Sequence, residues 1–278
     1  MTIPTPWRIV IVSQAPPAAV AIDAMCREAG HQPVAIITSR VTSDPSRLGW
    51  MLDVAPPDVD VLYAARKTSL APLFRTYQPD LVICLGFPWL IPQEALDIPK
   101  LGAINVHPSK LPLYRGPIPL PWAVRNGETE IGMTVHRMDA TYDTGPILAQ
   151  APVPLDPAAW TFEEVIPAMQ TALRQIIPRA LERIAAGDEG EPQKGDPGVY
   201  AGWFEDDFKR IDWSKPAREI HNQVRAWSFA SFVGDVEMPV GEVDGEPRKI
   251  IRASLEPADG TRIETGDGPI WVTESAPA

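Results

Sequence analysis

Short apolar runs alternate with helix-like segments along the first half of the chain. Each run is rich in Val, Ile and Leu and is bounded by Gly, Pro, Asn or Asp, which is typical of buried strands. We predict strands at Trp7–Val12, Pro33–Ile37, Asp60–Tyr63, Asp80–Leu85 and Leu101–Val106, with helices at Ala18–Ala29 and Ser69–Tyr77. This alternation predicts an α/β fold in which helices cover a mostly parallel sheet.

The second half continues with helices and strands and ends in a β-rich segment. We predict helices at Pro117–Asn126, Thr161–Ala186 and Pro216–Trp227, and strands at Thr129–Arg137, Ile147–Val153, Val240–Val243, Arg248–Leu255 and Ile270–Thr273. The strands on either side of the loop 139–145 should be antiparallel. Pro167 and Pro178 should kink or break the long helix, because proline lacks a backbone N–H. Ser214 is a suitable N-cap for the last helix.

The composition restricts the classes of function. The chain has 278 residues, 45% of them hydrophobic, so a substantial core is expected. Cys26 and Cys84 have no paired spacing, which disfavours a disulfide framework or a zinc site and favours a reducing, cytoplasmic setting. No apolar run reaches membrane-spanning length and no leader opens the chain, so we expect no membrane partner. The net charge of −11 disfavours binding to a phosphate backbone.

The most distinctive motif runs from Asn105 to Gly116, with the sequence Asn-Val-His-Pro-Ser-Lys-Leu-Pro-Leu-Tyr-Arg-Gly, and is followed by Asp143-Thr144-Gly145. Asn105 and His107 straddle the exit of a predicted strand, where a two-residue spacing points both side chains to the same face. An amide, an imidazole and a carboxylate can polarise a carbonyl, stabilise an oxyanion and move a proton. The motif therefore predicts a catalytic site that needs neither a metal nor a covalent nucleophile.

This run closely resembles the signature of the folate-dependent formyltransferases. That family includes methionyl-tRNA formyltransferases, glycinamide ribonucleotide formyltransferases, sugar N-formyltransferases and formyltetrahydrofolate hydrolases. The resemblance implies that Asn105, His107 and Asp143 form the catalytic triad. Asn105, and His107 when protonated, would stabilise the negative oxygen that develops when an amine attacks a formyl carbon. Asp143 would orient the imidazole and favour its protonated form, or relay a proton through water.

The resemblance also implies that the formyl donor is 10-formyltetrahydrofolate. The pterin ring would lie in a cleft between two loops. The contacts implied on one side are Gly86, Phe87, Trp89, Leu90 and Ile91, and those on the other are Asp139, Ala140 and Asp143. An aromatic and aliphatic loop around a glycine suits a flat heterocycle. Asp139 and His136 are otherwise interpreted as a loop residue and a strand residue near the site.

The acceptor side is less well specified by the sequence. Ser109, Arg115 and Gly116 are the candidate substrate contacts, although an arginine in such a run more often stabilises its own loop.

We expect a Rossmann-like catalytic domain in residues 1–187, a linker rich in Gly, Pro and charge in 188–200, and a small C-terminal domain in 201–278. By resemblance that last domain is β-rich, OB-like and abbreviated. It could bind substrate or a second subunit, so a homodimer stays open.

The identity of the amine is the main alternative that the sequence leaves open. Methionyl-tRNA formyltransferases usually show Gly-Thr-Pro after the first strand, where this chain has Gln14-Ala15-Pro16, and carry a basic loop after the second. The corresponding segment, Thr38–Pro57, holds only two Arg against two Asp, and residues 201–278 carry nine basic and fifteen acidic residues. We therefore favour a small-molecule amine, such as an amino sugar, over tRNA. A 10-formyltetrahydrofolate hydrolase and a non-catalytic folate-binding module are the remaining alternatives.

Overall fold

The computed structural model describes residues 6–39, 46–231 and 236–278, which fall into two compact units. The N-terminal unit comprises the chain up to Gly116 together with residues 132–153 and 167–200. The C-terminal unit comprises residues 117–131, 154–166 and 201–278. Two earlier segments of the chain therefore belong to the unit that contains residues 201–278.

A seven-stranded, mostly parallel sheet forms the core of the N-terminal unit, and its strands lie in the order β3-β2-β1-β4-β5-β6-β7. The strands are β1 Arg8–Ser13, β2 Gln32–Ser39, β3 Asp60–Ala64, β4 Leu81–Leu85, β5 Ala103–His107, β6 Glu130–Arg137 and β7 Ile147–Pro154. Strands β1 to β5 pair in parallel, and β6 is antiparallel to β5. The central strands are almost completely buried, which explains their continuous apolar sequence.

Helices cover this sheet much as the apolar pattern predicts. They are α1 Pro16–Glu28, α2 Ser46–Val54, α3 Leu70–Tyr77, α4 Gln93–Leu96 and part of α6 Phe162–Ala185. Two of them, α2 and the short α4, carry no clear amphipathic repeat in the sequence. Helix α2 lies within the Thr38–Pro57 segment that the sequence suggested as a loop, and residues 40–45 of that segment lie outside the described part of the chain.

Helix α6 runs without a break through both of its prolines, Pro167 and Pro178. One face of its later turns is buried in the core of the N-terminal unit, including Ile177 and Ala180, each 0% exposed. Burial of that face compensates for the backbone hydrogen bonds that the prolines cannot make. The predicted helix Thr161–Ala186 is thus found with nearly the same bounds, and neither proline breaks it.

The C-terminal unit combines two helices with a small antiparallel sheet. The helices are α5 Pro119–Arg125 and α7 Ala217–Ala230, and the strands are β8 Val240–Val243, β9 Glu246–Ser254, β10 Thr261–Glu264 and β11 Pro269–Pro277, in the order β10-β11-β9-β8. Val224, on α7, packs with Ile250 and Val272 of the sheet. The predicted fold class, a Rossmann-like unit with a small β-rich C-terminal part, is confirmed.

The start of helix α7 differs from the sequence-based expectation. Pro216 occupies the N-cap position and makes no side-chain cap; the N–H of Ala217 donates instead to Oδ1 of Asp267 at 2.7 Å. Ser214 was the expected cap, but its hydroxyl donates instead to the carboxylate of Asp212 at 2.6 Å. The same carboxylate also accepts the backbone N–H of Ser214 at 2.9 Å, so the serine closes a local turn with Asp212.

Candidate active site

Three polar side chains meet where strands β5 and β6 lie next to each other. Asn105 and His107 are near the carboxyl end of β5, and the antiparallel register places His136 of β6 directly opposite Asn105. His107 and His136 are 4% and 2% exposed. Ligands of parallel α/β sheets bind beyond the carboxyl ends of the strands, so a functional site is expected at this position.

Asp143 enters this cluster from the loop that connects β6 and β7. Its backbone has a φ of +56°, in the left-handed region that residues other than glycine seldom adopt. The carboxylate Oδ2 accepts the backbone N–H of Gly116 at 3.0 Å. Gly145, two residues on, has no space for a Cβ, because the carbonyl oxygen of Arg137 would lie 2.0 Å from it. The Asp-Thr-Gly sequence is thus fixed by backbone geometry as well as by chemistry.

Oxygen Oδ1 of Asp143 is the centre of the cluster. It lies 3.2 Å from the amide nitrogen of Asn105, 3.6 Å from Nδ1 of His107 and 3.4 Å from Nε2 of His136. The side chain of Asp143 is 10% exposed. The structure therefore brings together all three residues of the predicted triad and adds His136, which the sequence-based interpretation placed nearby without a role.

The hydrogen bonds of the two imidazoles fix where their protons lie. Nε2 of His107 is 2.9 Å from the carbonyl oxygen of Tyr114, and Nδ1 of His136 is 2.7 Å from that of Arg137. A carbonyl oxygen can only accept, so each of these nitrogens carries a proton. In a neutral ring the lone pair is then on Nδ1 of His107, facing Asp143, and on Nε2 of His136, 3.2 Å from the amide nitrogen of Asn105.

Burial and charge act in opposite directions on His107. Burial lowers the pKa of His107, while the charge of Asp143 and the bond to the Tyr114 carbonyl raise it, and His136 lowers it further. The net result is a pKa below the ordinary value. Asp143 thus supports the protonated ring, as expected from the sequence, but burial is the larger effect and favours a neutral imidazole at neutral pH.

Asp143 has a strongly perturbed acidity. Burial alone would raise the pKa of Asp143, but the charges of His107 and His136, a bond to His136 and the N–H of Gly116 together lower it to about 2. The carboxylate is therefore ionised throughout the ordinary pH range. An ionised acid beside a neutral imidazole is an arrangement that can accept a proton on the ring and stabilise the resulting charge.

The remaining acceptor-side candidates contact the protein itself. Ser109 is fully buried, and its hydroxyl donates to the carbonyl of Leu113 at 2.7 Å. The guanidinium of Arg115 donates from two nitrogens to Oε1 of Gln193, at 2.6 and 3.1 Å. Gly116 holds Asp143, as described above. These three residues shape the loop 109–116, and Gln193 is a contact that no sequence motif indicated.

The Gly86–Pro92 loop follows strand β4, beside β5. Gly86 is exposed with a φ of +58°, and nothing lies within 4 Å of the position a Cβ would take. Phe87 and Trp89 are partly buried and meet edge to face at 5.3 Å. Leu90 is partly buried, whereas Ile91 is 1% exposed and belongs to the core. The loop thus offers an open backbone turn next to partly exposed aromatic rings, which suits a flat heterocycle.

The second predicted wall lies in the loop 139–145. Met138, just before this loop, packs on the same apolar cluster as Phe87 and Trp89. The carboxylate of Asp139 accepts the backbone N–H of Thr141 and the hydroxyls of Thr141 and Thr144. Ala140 is exposed. Asp139 therefore stabilises its own loop, while Asp143 alone of the two acids reaches His107.

Neither a metal-holding group nor a membrane-spanning helix is found among the described residues. No group of three or more His, Cys, Asp or Glu side chains in that part of the chain is arranged to hold a metal ion. None of its helices combines the length and the apolar character that crossing a membrane requires.

Comparison with known proteins identifies the family. A family model described as "Formyl transferase" matches residues 8–181, and one described as "Formyl transferase, C-terminal domain" matches residues 205–278. The methionyl-tRNA formyltransferase of Synechococcus sp. (strain JA-2-3B'a(2-13)) is 36% identical over 209 residues, which cover 69% of this chain and 64% of that relative. The match thus spans less than two thirds of the length of that relative.

Two solved structures share the fold over almost the whole chain. One is HypX from Aquifex aeolicus in complex with tetrahydrofolic acid, with a TM-score of 0.68 and 21% identity, covering 98% of this chain and 44% of HypX. The other is the N-formyltransferase from Helicobacter canadensis in complex with folinic acid and dTDP-3-aminofucose, with a TM-score of 0.68 and 20% identity, covering 96% of this chain and 98% of that protein. By its family matches and its sequence identity, this chain belongs to the formyl transferase family.

Proposed function

We propose that this protein is an N-formyltransferase that moves the formyl group of 10-formyltetrahydrofolate to a primary amine. The observation that carries the proposal is the convergence of Asn105, His107 and His136 on Oδ1 of Asp143, each within 3.6 Å, in a chain of the formyl transferase family. The cluster supplies a hydrogen-bond donor, a proton acceptor and a fixed negative charge. Those are the groups that attack of an amine on a formyl carbon requires.

Asn105, His107 and Asp143 have different roles in the proposed reaction. One N–H of Asn105 exchanges its bond within the cluster for a bond to the formyl oxygen and stabilises the negative charge that develops there. The proton that the attacking amine releases passes to Nδ1 of His107, directly or through water. Asp143 then faces the protonated nitrogen and stabilises its charge, which offsets the burial that otherwise keeps the ring neutral. When the tetrahedral intermediate collapses, the bond from the formyl carbon to N10 of the folate breaks and His107 gives its proton to N10, so that tetrahydrofolate leaves and the ring is neutral again.

We assign the donor site to the two neighbouring loops. Gly86 leaves room for a ring to approach the backbone, and Phe87 and Trp89 supply apolar surface beside it. The loop 139–145 is the opposite wall. HypX and the Helicobacter canadensis enzyme, which share this fold, were solved with tetrahydrofolic acid and folinic acid, and this supports a folate as the donor. The donor's formyl group would then lie between this cleft and the Asp143 cluster.

For the acceptor we propose a small-molecule amine. Four exposed apolar side chains of the N-terminal unit adjoin the cluster in sequence or in space: Leu113, Tyr142, Val199 and Tyr200, from 40% to 54% exposed. Tyr200 is close enough to Asp143 for that charge to raise its pKa, in addition to burial. These side chains suit an acceptor with an apolar or ring-shaped body better than a phosphate backbone. The acidic character of residues 201–278 supports the same choice.

Methionyl-tRNA is the second candidate acceptor. It is favoured by the names of relatives that are 32% to 37% identical to this chain. A panel assay distinguishes the two. Conversion of 10-formyltetrahydrofolate to tetrahydrofolate is followed with nucleotide-linked amino sugars, small hydroxylated amines, methionyl-tRNA or no acceptor. We expect turnover only with an amine of the small-molecule group. Equal turnover with and without every acceptor would instead support a hydrolase.

A further inference from the structure

We infer that Gln193 is a positioning residue, which holds Asp143 in the geometry that it needs to act on His107. Gln193 lies in the segment 188–200, which the sequence suggested as a linker. The structure instead packs this segment against strand β7, where Ile147 and Glu191 exchange two backbone hydrogen bonds of 2.8 and 2.9 Å. Gln193 is therefore carried by an anchored piece of chain.

The side-chain amide of Gln193 is saturated by four hydrogen bonds. Its nitrogen donates to the carbonyl oxygens of Asp143 at 2.8 Å and of Gly145 at 2.9 Å. Its oxygen accepts two bonds from Arg115. A guanidinium can only donate and a carbonyl can only accept, so one orientation of the amide satisfies all four partners. Arg115 thus fixes the direction in which Gln193 points its N–H groups.

These bonds act on the strained part of the loop. Asp143 has a positive φ, and a residue other than glycine keeps that conformation only when its surroundings enforce it. Gln193 binds the backbone on both sides of Thr144, and the N–H of Gly116 binds the carboxylate of Asp143. Arg115 and Gly116 are adjacent in the chain, so a single loop supports both the backbone and the side chain of Asp143.

The position of the Asp143 carboxylate affects the pKa of His107 through its charge. The carboxylate of Asp143 is the largest of the effects that raise the pKa of His107. If the loop relaxes, the carboxylate moves away from Nδ1, and burial then acts with less opposition. Loss of Gln193 should therefore lower the pKa of His107 further and remove the charge that stabilises the protonated ring during turnover.

The test is a titration of His107 in Gln193→Met, which keeps an unbranched side chain but cannot hydrogen-bond the two carbonyls. The protein has four histidines, so ¹⁵N-histidine labelling and NMR resolve each imidazole, and a His107→Gln variant assigns the signal. We expect the pKa of His107 to fall below its value in the unmodified protein, and kcat to fall roughly tenfold to hundredfold because the carboxylate is misplaced.

Gln223→Met is the matched control. In the C-terminal unit the amide nitrogen of Gln223 also donates to two backbone carbonyls, those of Phe208 at 2.6 Å and Arg210 at 3.0 Å. Its replacement should lower thermal stability and leave the pKa of His107 unchanged. If Gln193→Met does not fold, Arg115→Met provides the test instead. This variant removes the partner that orients the side-chain amide of Gln193, and it should lower the pKa of His107 by a smaller amount.

A His107 pKa equal to that of the unmodified protein in folded Gln193→Met, whatever its kcat, would overturn the inference. Only the kcat readout rests on the proposed function. If the unmodified protein transfers no formyl group to any acceptor, the proposed function fails, while the titration still decides whether Gln193 positions Asp143.

Discussion

Asn105 and His136 face each other across strands β5 and β6, and the amide nitrogen of Asn105 lies 3.2 Å from Nε2 of His136. Nδ1 of His136 donates to the carbonyl of Arg137, so when the ring is neutral Nε2 accepts one N–H of Asn105, and Asp143 accepts the other. The amide of Asn105 is therefore oriented by two partners before any substrate arrives. Such preorganisation is what makes a hydrogen-bond donor effective against developing charge.

We expect His136→Phe to lower kcat by roughly tenfold, because a ring without a nitrogen removes one of the two partners that orient the amide of Asn105. Steady-state kinetics with the preferred amine measure the effect. His31→Phe is the matched control: His31 stacks on Trp7 with 4.2 Å between ring centroids, away from the cluster, and its replacement should leave kcat unchanged. Equal losses in the two variants would show that the effect is one of general destabilisation.

Substitutions in the triad should affect turnover far more than folding. We expect His107→Ala and Asp143→Ala each to reduce kcat by roughly a hundredfold to ten-thousandfold, and Asn105→Ala by about a hundredfold, as for lost proton transfer and lost oxyanion stabilisation. Tetrahydrofolate binding, measured by calorimetry, should persist. An Asp143→Ala enzyme with normal turnover beside an inactive Asp139→Ala enzyme would mean that the carboxylate is wrongly assigned.

Stability should depend on pH through Asp143. Its pKa is lowered from 3.8 to about 2 in the folded protein, so its ionised form favours folding. The contribution is fully present above the unfolded pKa and is lost as the pH falls from about 4 towards 2. For this buried group we expect about 2 kcal/mol of the free energy of unfolding. Denaturant unfolding of Asp143→Asn between pH 2 and 5 should show a shallower pH dependence than the unmodified protein. An equal pH dependence of the free energy of unfolding in the two proteins would contradict the lowered pKa of Asp143.

Salt dependence tests the choice of acceptor. A protein that binds several phosphates releases counterions, so the affinity falls steeply as the salt concentration rises. Residues 201–278 carry a net charge of −6, from nine basic and fifteen acidic residues, and offer few cations for such contacts. We expect weak binding of methionyl-tRNA at physiological salt and no efficient formylation of its amine. Efficient formylation with a steep salt dependence would make tRNA the acceptor.

The sequence predicts the sheet and the triad better than the contacts around them. Strands β1, β2, β4 and β5 are mostly apolar runs because both faces of the sheet are buried there, so their pattern is clear. Helix α2 was missed because its exposed apolar residues, among them Trp50 and Leu52, give no simple amphipathic face. A kink or a break was expected at the two prolines of helix α6, because the tertiary burial that keeps the helix unbroken is not visible in local sequence.

Local sequence likewise indicates only some of the residues of the active site. Asn105, His107 and Asp143 could be selected because they lie in a recognisable motif with turn residues. His136 depends on the register between β5 and β6, which no local pattern specifies. Gln193 depends on a segment rich in Gly, Pro and charge returning to the site, and its contacts are entirely long-range. His136 and Gln193 therefore needed the structure.

The central claim is formyl transfer to an amine, and the most direct measurement follows the formyl carbon itself. The protein is incubated with 10-formyltetrahydrofolate carrying ¹³C in the formyl group and with the acceptor panel, and the products are analysed by mass spectrometry. The account predicts that the label appears as an N-formyl amide on a small-molecule amine, in amounts equal to the tetrahydrofolate formed, and that His107→Ala abolishes it. Label recovered only as formate, at a rate independent of every amine, would contradict it.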